Sequence, residues 1–102
     1  MYTLITAANS AQAHKLRNSL NSADVLLGDY LELPELMLKT GKMLRLPNPD
    51  TASYTHQMLS LCLDKDIDII YPLREQELQL LLTSDQLFKE YNISIKVNGH
   101  EI

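Results

Sequence analysis

The chain has 102 residues, of which 45% are apolar and 22% charged, and its formal net charge is −4. That length suits one compact domain over residues 1–102 and is too short for two, and the composition is that of a globular protein. The negative balance excludes non-specific nucleic-acid binding, which needs clustered cations to neutralise phosphates.

Tyr2 to Thr6 is short, β-rich and apolar, and it predicts a first strand with no signal peptide ahead of it. Ala7 to Ser10 breaks that strand, and Asn9 or Ser10 suits the cap of a following helix. In that helix Ala13, Leu16 and Leu20 share one face, while His14, Lys15 and Asn18 point away. A second strand is expected over Ala23 to Leu27, ended by Gly28 and Asp29. Pro34 fits the first turn of a short helix, Glu35 and Lys39 have favourable i,i+4 polarity, and Gly41 is a natural stop.

Met43 to Leu46 predicts a brief third strand, closed by Pro47 and Pro49. Asp50 suits the cap of a long helix to about Asp64. Ile67 to Tyr71 is the strongest strand signal, and it stops at Pro72. A helix from about Arg74 carries Leu78, Leu81 and Leu82 on one face. Ser84 suits the cap of another turn over Asp85 to Tyr91, with Asn92 at its stop, before a fifth strand over Ile93 to Val97 and a polar tail from Asn98 to Ile102. Strands alternating with helices imply a parallel sheet covered on both faces, joined by right-handed crossovers. Periodicity alone leaves two strand orders open, 3-2-1-4-5 and 2-1-3-4-5.

Single residues say less. Cys62 is the only cysteine and sits among Met58, Leu59, Leu61 and Leu63, the setting of a buried apolar thiol in a reducing compartment. Cytoplasmic placement follows, and no apolar run approaches the roughly 20 residues that span a bilayer. Lys39, Lys42 and Arg45 form the only cationic grouping and suit a solvated turn. His14, His56 and His100 are too scattered for a metal site. A receiver domain would need acids where Thr6, Ala7 and Ala8 stand, so that fold is rejected. In the third helix Tyr54, Met58, Leu61 and Cys62 form a core stripe, and Leu59 and Leu63 widen it. The extra width is either core cover or a surface for self-association.

The segment Ile67 to Val97, IDIIYPLREQELQLLLTSDQLFKEYNISIKV, resembles the end of the pre-ATP-grasp domain of ATP-grasp ligases. That domain is similar to the amino-terminal lobe of biotin carboxylase and to the matching lobe of carbamoyl-phosphate synthase large chains. The resemblance is carried by the Asp68-containing run ending in Pro72, by Glu77 and Leu78, and by Leu87 to Tyr91, and Leu4 to Leu20 fits in position. It implies a three-layer α/β/α Rossmann-like fold with a five-stranded parallel sheet in the order 3-2-1-4-5. Two departures qualify it. The turn after the first strand, Ala7 to Ser10, lacks the glycines that let backbone approach a phosphate. The ligases bind ATP and metal in later domains, so the resemblance implies a lobe standing alone, with no cofactor and no catalytic residue of its own.

Candidate ligand residues gather where the strands end. Asn9 and Ser10 follow the first strand, Asp29 ends the second, and Arg74 and Glu75 follow the fourth. An acid placed like Asp29 can bind a ribose hydroxyl, but no G-x-G-x-x-G fingerprint accompanies it, and a solvated turn aspartate is the plainer reading. Arg74 suits a carboxylate or phosphate, whereas Glu75 and Glu77 equally suit the positive end of a helix. Two functions follow: a non-catalytic binding or interaction module, or the substrate-binding component of a split ATP-grasp ligase completed by a separate ATP-grasp chain.

Overall fold

Short apolar runs separated by capped, amphipathic segments fold as a sheet with a helix in each crossover. The computed structural model describes residues 1–20, 24–41 and 43–97. The elements in chain order are β1 (Tyr2–Ile5), α1 (Ala11–Leu20), β2 (Val25–Asp29), α2 (Glu35–Lys39), β3 (Met43–Arg45), α3 (Tyr54–Asp64), β4 (Ile67–Tyr71), α4 (Glu75–Thr83), α5 (Asp85–Glu90) and β5 (Ser94–Ile95). All neighbouring strands pair in parallel, and the sheet order is β3-β2-β1-β4-β5. This is the α/β fold and the strand order that the resemblance implies.

Two apolar clusters cover the two faces of the sheet. On one face Tyr54, Met58, Leu59 and Cys62 of α3, Leu81 of α4 and Phe88 of α5 pack against Leu4, Ile67 and Ile70. On the other, Ala13 and Leu16 of α1 pack with Ile5, Leu27, Leu33 and Met43. Leu20 joins this second cluster partly buried, so the expected face of α1 is the one used. Leu59 is 8% exposed and belongs to the core, while Leu63 is 51% exposed. The apolar surface expected on α3 for a second subunit therefore shrinks to Leu63. Cys62 is buried as expected, and burial pushes its thiol up to about 12. Among the described residues no helix is long and apolar enough to cross a membrane.

Several boundaries depart from the expected ones, each for a local reason. β2 does not stop before Gly28: it runs through Asp29, because Gly28 and Asp29 pair with Leu44 and Arg45 of β3. A Cβ on Gly28 would lie 2.8 Å from Leu46 Cδ2 and 3.1 Å from the Leu44 carbonyl oxygen, so the missing side chain is what allows the approach. The expected start of β2 at Ala23, the tail from Asn98 and Lys42 of the cationic turn lie outside the described residues.

α3 begins at Tyr54, not after Asp50. Asn48 takes over that region: its side chain accepts the Asp50 N–H at 2.8 Å, and its carbonyl accepts from the Thr51 N–H and hydroxyl. Asp50 instead accepts a hydrogen bond from Gln76 Nε2 at 2.7 Å, tying this turn to α4. α4 is rotated from the expected face: Glu77 and Leu81 are buried, while Leu82 is 40% exposed. β5 is shortened to two residues, although the Lys96 N–H still reaches the Ile70 carbonyl at 2.8 Å.

Candidate functional site

In this sheet the chain moves outward from β1 through β2 to β3, then crosses back to place β4 on the other side of β1. The loops after β1 and β4 consequently leave toward opposite faces. A crevice at the carboxyl ends of such a pair is where open α/β sheets take ligands. Two bonds sew its floor: the Thr6 N–H donates to the Tyr71 carbonyl at 3.1 Å, and the Leu73 N–H donates to Thr6 Oγ1 at 2.8 Å.

The loop after β1 turns without glycine. Ala7 takes a left-handed conformation with φ 55°, and its carbonyl accepts from Ser10 Oγ at 2.8 Å. Ser10 Oγ in turn accepts the Ala13 N–H at 3.1 Å, so Ser10 is the cap of α1. Asn9 is exposed and donates from Nδ2 to the Glu32 carbonyl at 3.4 Å. The turn that glycines would ordinarily make is thus held by an alanine and a capping serine.

Asp29 is the largest surprise at this edge. It is no solvated turn residue but 1% exposed, at the end of a buried strand. Its Oδ1 accepts the N–H groups of Tyr30 at 2.8 Å and Leu31 at 3.3 Å. Arg74 Nη2 donates to both of its oxygens, at 3.1 and 2.9 Å. The guanidinium also lies 5.2 Å from the centre of the Tyr30 ring, within cation–π range. Asp29 raises the pKa of Arg74 further, chiefly through their hydrogen bond. The Arg74 side chain keeps 30% exposure, so the pair is not sealed from solvent on the arginine side. Two candidates, one ending β2 and one preceding α4, 45 residues apart, therefore meet as one part-buried ion pair.

Glu75 does not join them. It is exposed and accepts a hydrogen bond from Gln79 Nε2 at 2.9 Å along its own helix. Its place is taken by Glu77, which is fully buried. Among the described residues no partner stands in ordinary hydrogen-bond geometry to either Glu77 oxygen, the Tyr54 hydroxyl or Arg74 Nε, although the Thr6 and Tyr54 side chains lie near enough to Glu77 to favour its charged form by hydrogen bonding. Burial raises the Glu77 pKa; Thr6, Tyr54 and Arg74 pull it back, and Asp29 adds to the rise. Burial likewise raises that of Tyr54, with Glu77 adding to the rise. The sequence offered one signal for this arrangement. Glu77 and Leu81 are four apart, so whichever turn buries one buries the other.

Among the described residues no group of three or more His, Cys, Asp or Glu could hold a metal ion. His14 and His56 are exposed, and His100 lies outside the described residues. The site's chemistry is that of an arginine–carboxylate pair beside a carboxyl group kept from water, which suits recognition and proton-linked binding.

The family model of the PylC-like N-terminal domain matches residues 4–96. The chain belongs to this family. A PylC-like N-terminal domain is a pre-ATP-grasp-like lobe, so the resemblance read from Ile67 to Val97 is correct in kind and extends over nearly the whole chain. Membership makes the chain a module related to ATP-grasp ligases. No curated protein matches it. Within the PylC-like domain the residues of the crevice come from the loop after β1, the end of β2, the start of α3 and the approach to and first turn of α4, all inside the matched span.

Proposed function

We propose that this PylC-like domain is the substrate-binding, non-catalytic lobe of an ATP-grasp ligase of the carboxylate–amine or carbon–nitrogen type, working against an ATP-grasp domain on a separate chain. The observation that carries the reading is the Asp29–Arg74 pair at the sheet's switch point, with the Arg74 side chain 30% exposed. Arginine recognises carboxylate and phosphate groups through two parallel N–H donors. Asp29 holds the guanidinium in place, and the exposed part of the side chain meets an anionic group of the substrate. Asn9 and Ser10 border the same crevice from the loop after β1, and Glu75 lies on its rim. ATP and metal chemistry belong to the partner domain, and the buried reduced thiol of Cys62 fits a cytoplasmic setting.

The test is a titration of the chain with an isolated ATP-grasp domain, read by calorimetry with small carboxylates, amino acids and nucleotides present. A complex weakened tenfold or more by Arg74→Ala supports the reading. Absence of a complex, together with no ligand-induced rise in melting temperature, overturns it, because specific binding to the native state raises its apparent stability.

A further inference from the structure

The proton-linked part of the crevice is unexplained by a role for Arg74 and Asp29 alone. Four polar atoms are buried there with no partner in ordinary hydrogen-bond geometry among the described residues: both Glu77 oxygens, the Tyr54 hydroxyl and Arg74 Nε; the Thr6 and Tyr54 hydroxyls are the near neighbours of Glu77. Such groups are normally satisfied, and several orphans in one place mark a cluster able to adopt another hydrogen-bonded state. Arg74 precedes the first turn of α4 and Glu77 stands three residues on, a spacing that makes neighbours on one helix face. The two carboxylates compete unequally. Asp29 has two backbone N–H donors besides Arg74, and Glu77 has none. Arg74 gives Nη2 to Asp29 and keeps Nε free on its buried side.

We propose that Arg74 is a latch shared by two carboxylates: ionised Glu77 takes the Nε–H while Asp29 keeps Nη2, so proton release from Glu77 draws the guanidinium inward and reshapes the crevice. The proton leaves to solvent and no covalent bond changes. The groups facing Glu77 are Thr6 from the end of β1, Asp29 from β2, Tyr54 from α3 and Arg74 beside it. Only Arg74 carries a positive charge among them, so it alone can neutralise the ionised form. Burial raises the Glu77 pKa, which moves this switch upward from the range of an exposed glutamate. Its bearing on substrate rests on the function proposed above. The latch itself needs neither ligand nor partner chain, so either can fail without the other.

The experiment is NMR of the full chain without ligand, following the Glu77 carboxyl carbon and the Arg74 Nε–H from about pH 4 to about pH 9. Both signals are expected to move on one curve, with a midpoint above the ordinary range of an exposed glutamate. Glu77→Gln abolishes the Arg74 response, and Asp29→Asn keeps it. Arg74→Lys, which retains the charge but lacks Nε–H, raises the Glu77 midpoint. An Arg74 signal that stays flat while Glu77 titrates, a Glu77 that does not titrate in that range, or a midpoint unmoved by Arg74→Lys would overturn the latch.

Discussion

Asp29 and Arg74 are partners with unequal stakes. Removing Arg74 leaves the fully buried Asp29 carboxylate without its counter-charge, whereas removing Asp29 leaves a part-exposed guanidinium that water can reach and two backbone N–H groups without their acceptor. Arg74→Ala is therefore expected to cost about 3 kcal/mol and Asp29→Ala about 2 kcal/mol, since the charge left buried decides the cost. Urea unfolding of the two variants checks the order. Glu77 acts in the opposite sense. Its folded pKa lies above the ordinary value of 4.5, so the folded state binds the proton more tightly than the unfolded chain. Its contribution is fully present below 4.5 and is lost as pH rises through the raised folded value. Stability should fall across that window in the wild type, and Glu77→Gln should flatten the slope, as thermal melts at a series of pH values would show.

At the scale of elements, the approach of β3 to β2 hangs on one missing side chain. Gly28→Ala places a methyl against Leu46 and the Leu44 carbonyl, and the strain is expected to cost about 1–3 kcal/mol. Chemical denaturation measures it, and an unchanged midpoint would mean that β3 yields freely. The same strand shows how far sequence reasoning reaches. Ile67–Tyr71 was legible to the residue because a β-branched run ending at proline has one good reading. The extension of β2 through Gly28 and Asp29 was not, since glycine beside aspartate signals a turn unless a neighbouring strand pairs with it. α3 starts late because Asn48 competes for the turn that Asp50 was expected to cap. At the site, Asp29 and Arg74 were each singled out, but their meeting was hidden, because it depends on tertiary placement and on no local pattern. Glu77 was visible as an acid suited to a helix start and as part of the Glu77–Leu78 pair that carries the resemblance, and only its spacing from Leu81 hinted at a buried carboxyl.

For the whole molecule, stability is divided between two cores of different weight. The face covered by α3, α4 and α5 holds the fully buried Phe88, Tyr54 and Met58, and the face of α1 and α2 relies on smaller contacts such as Ala13 and Leu16. Phe88→Ala should cost about 3–5 kcal/mol, a large share of the roughly 5–15 kcal/mol that holds a domain together. Leu82→Ala on the exposed side of α4 should change stability by less than about 0.5 kcal/mol. Calorimetric melts of the pair would separate them, and equal shifts would contradict the core described. The all-parallel arrangement also gives the molecule two ends of different character. Every strand enters at the edge bearing Met1, whose ammonium lies 3.2 Å from Asp66 in a solvent-exposed pair, and leaves at the edge bearing the crevice. An exposed pair of that kind is worth at most about 1 kcal/mol. A fluorophore or affinity tag attached at Met1 would thus cost little and sit at the opposite edge of the sheet from the Arg74 crevice, whereas a fusion joined just after Val97 would leave from the same edge as the crevice.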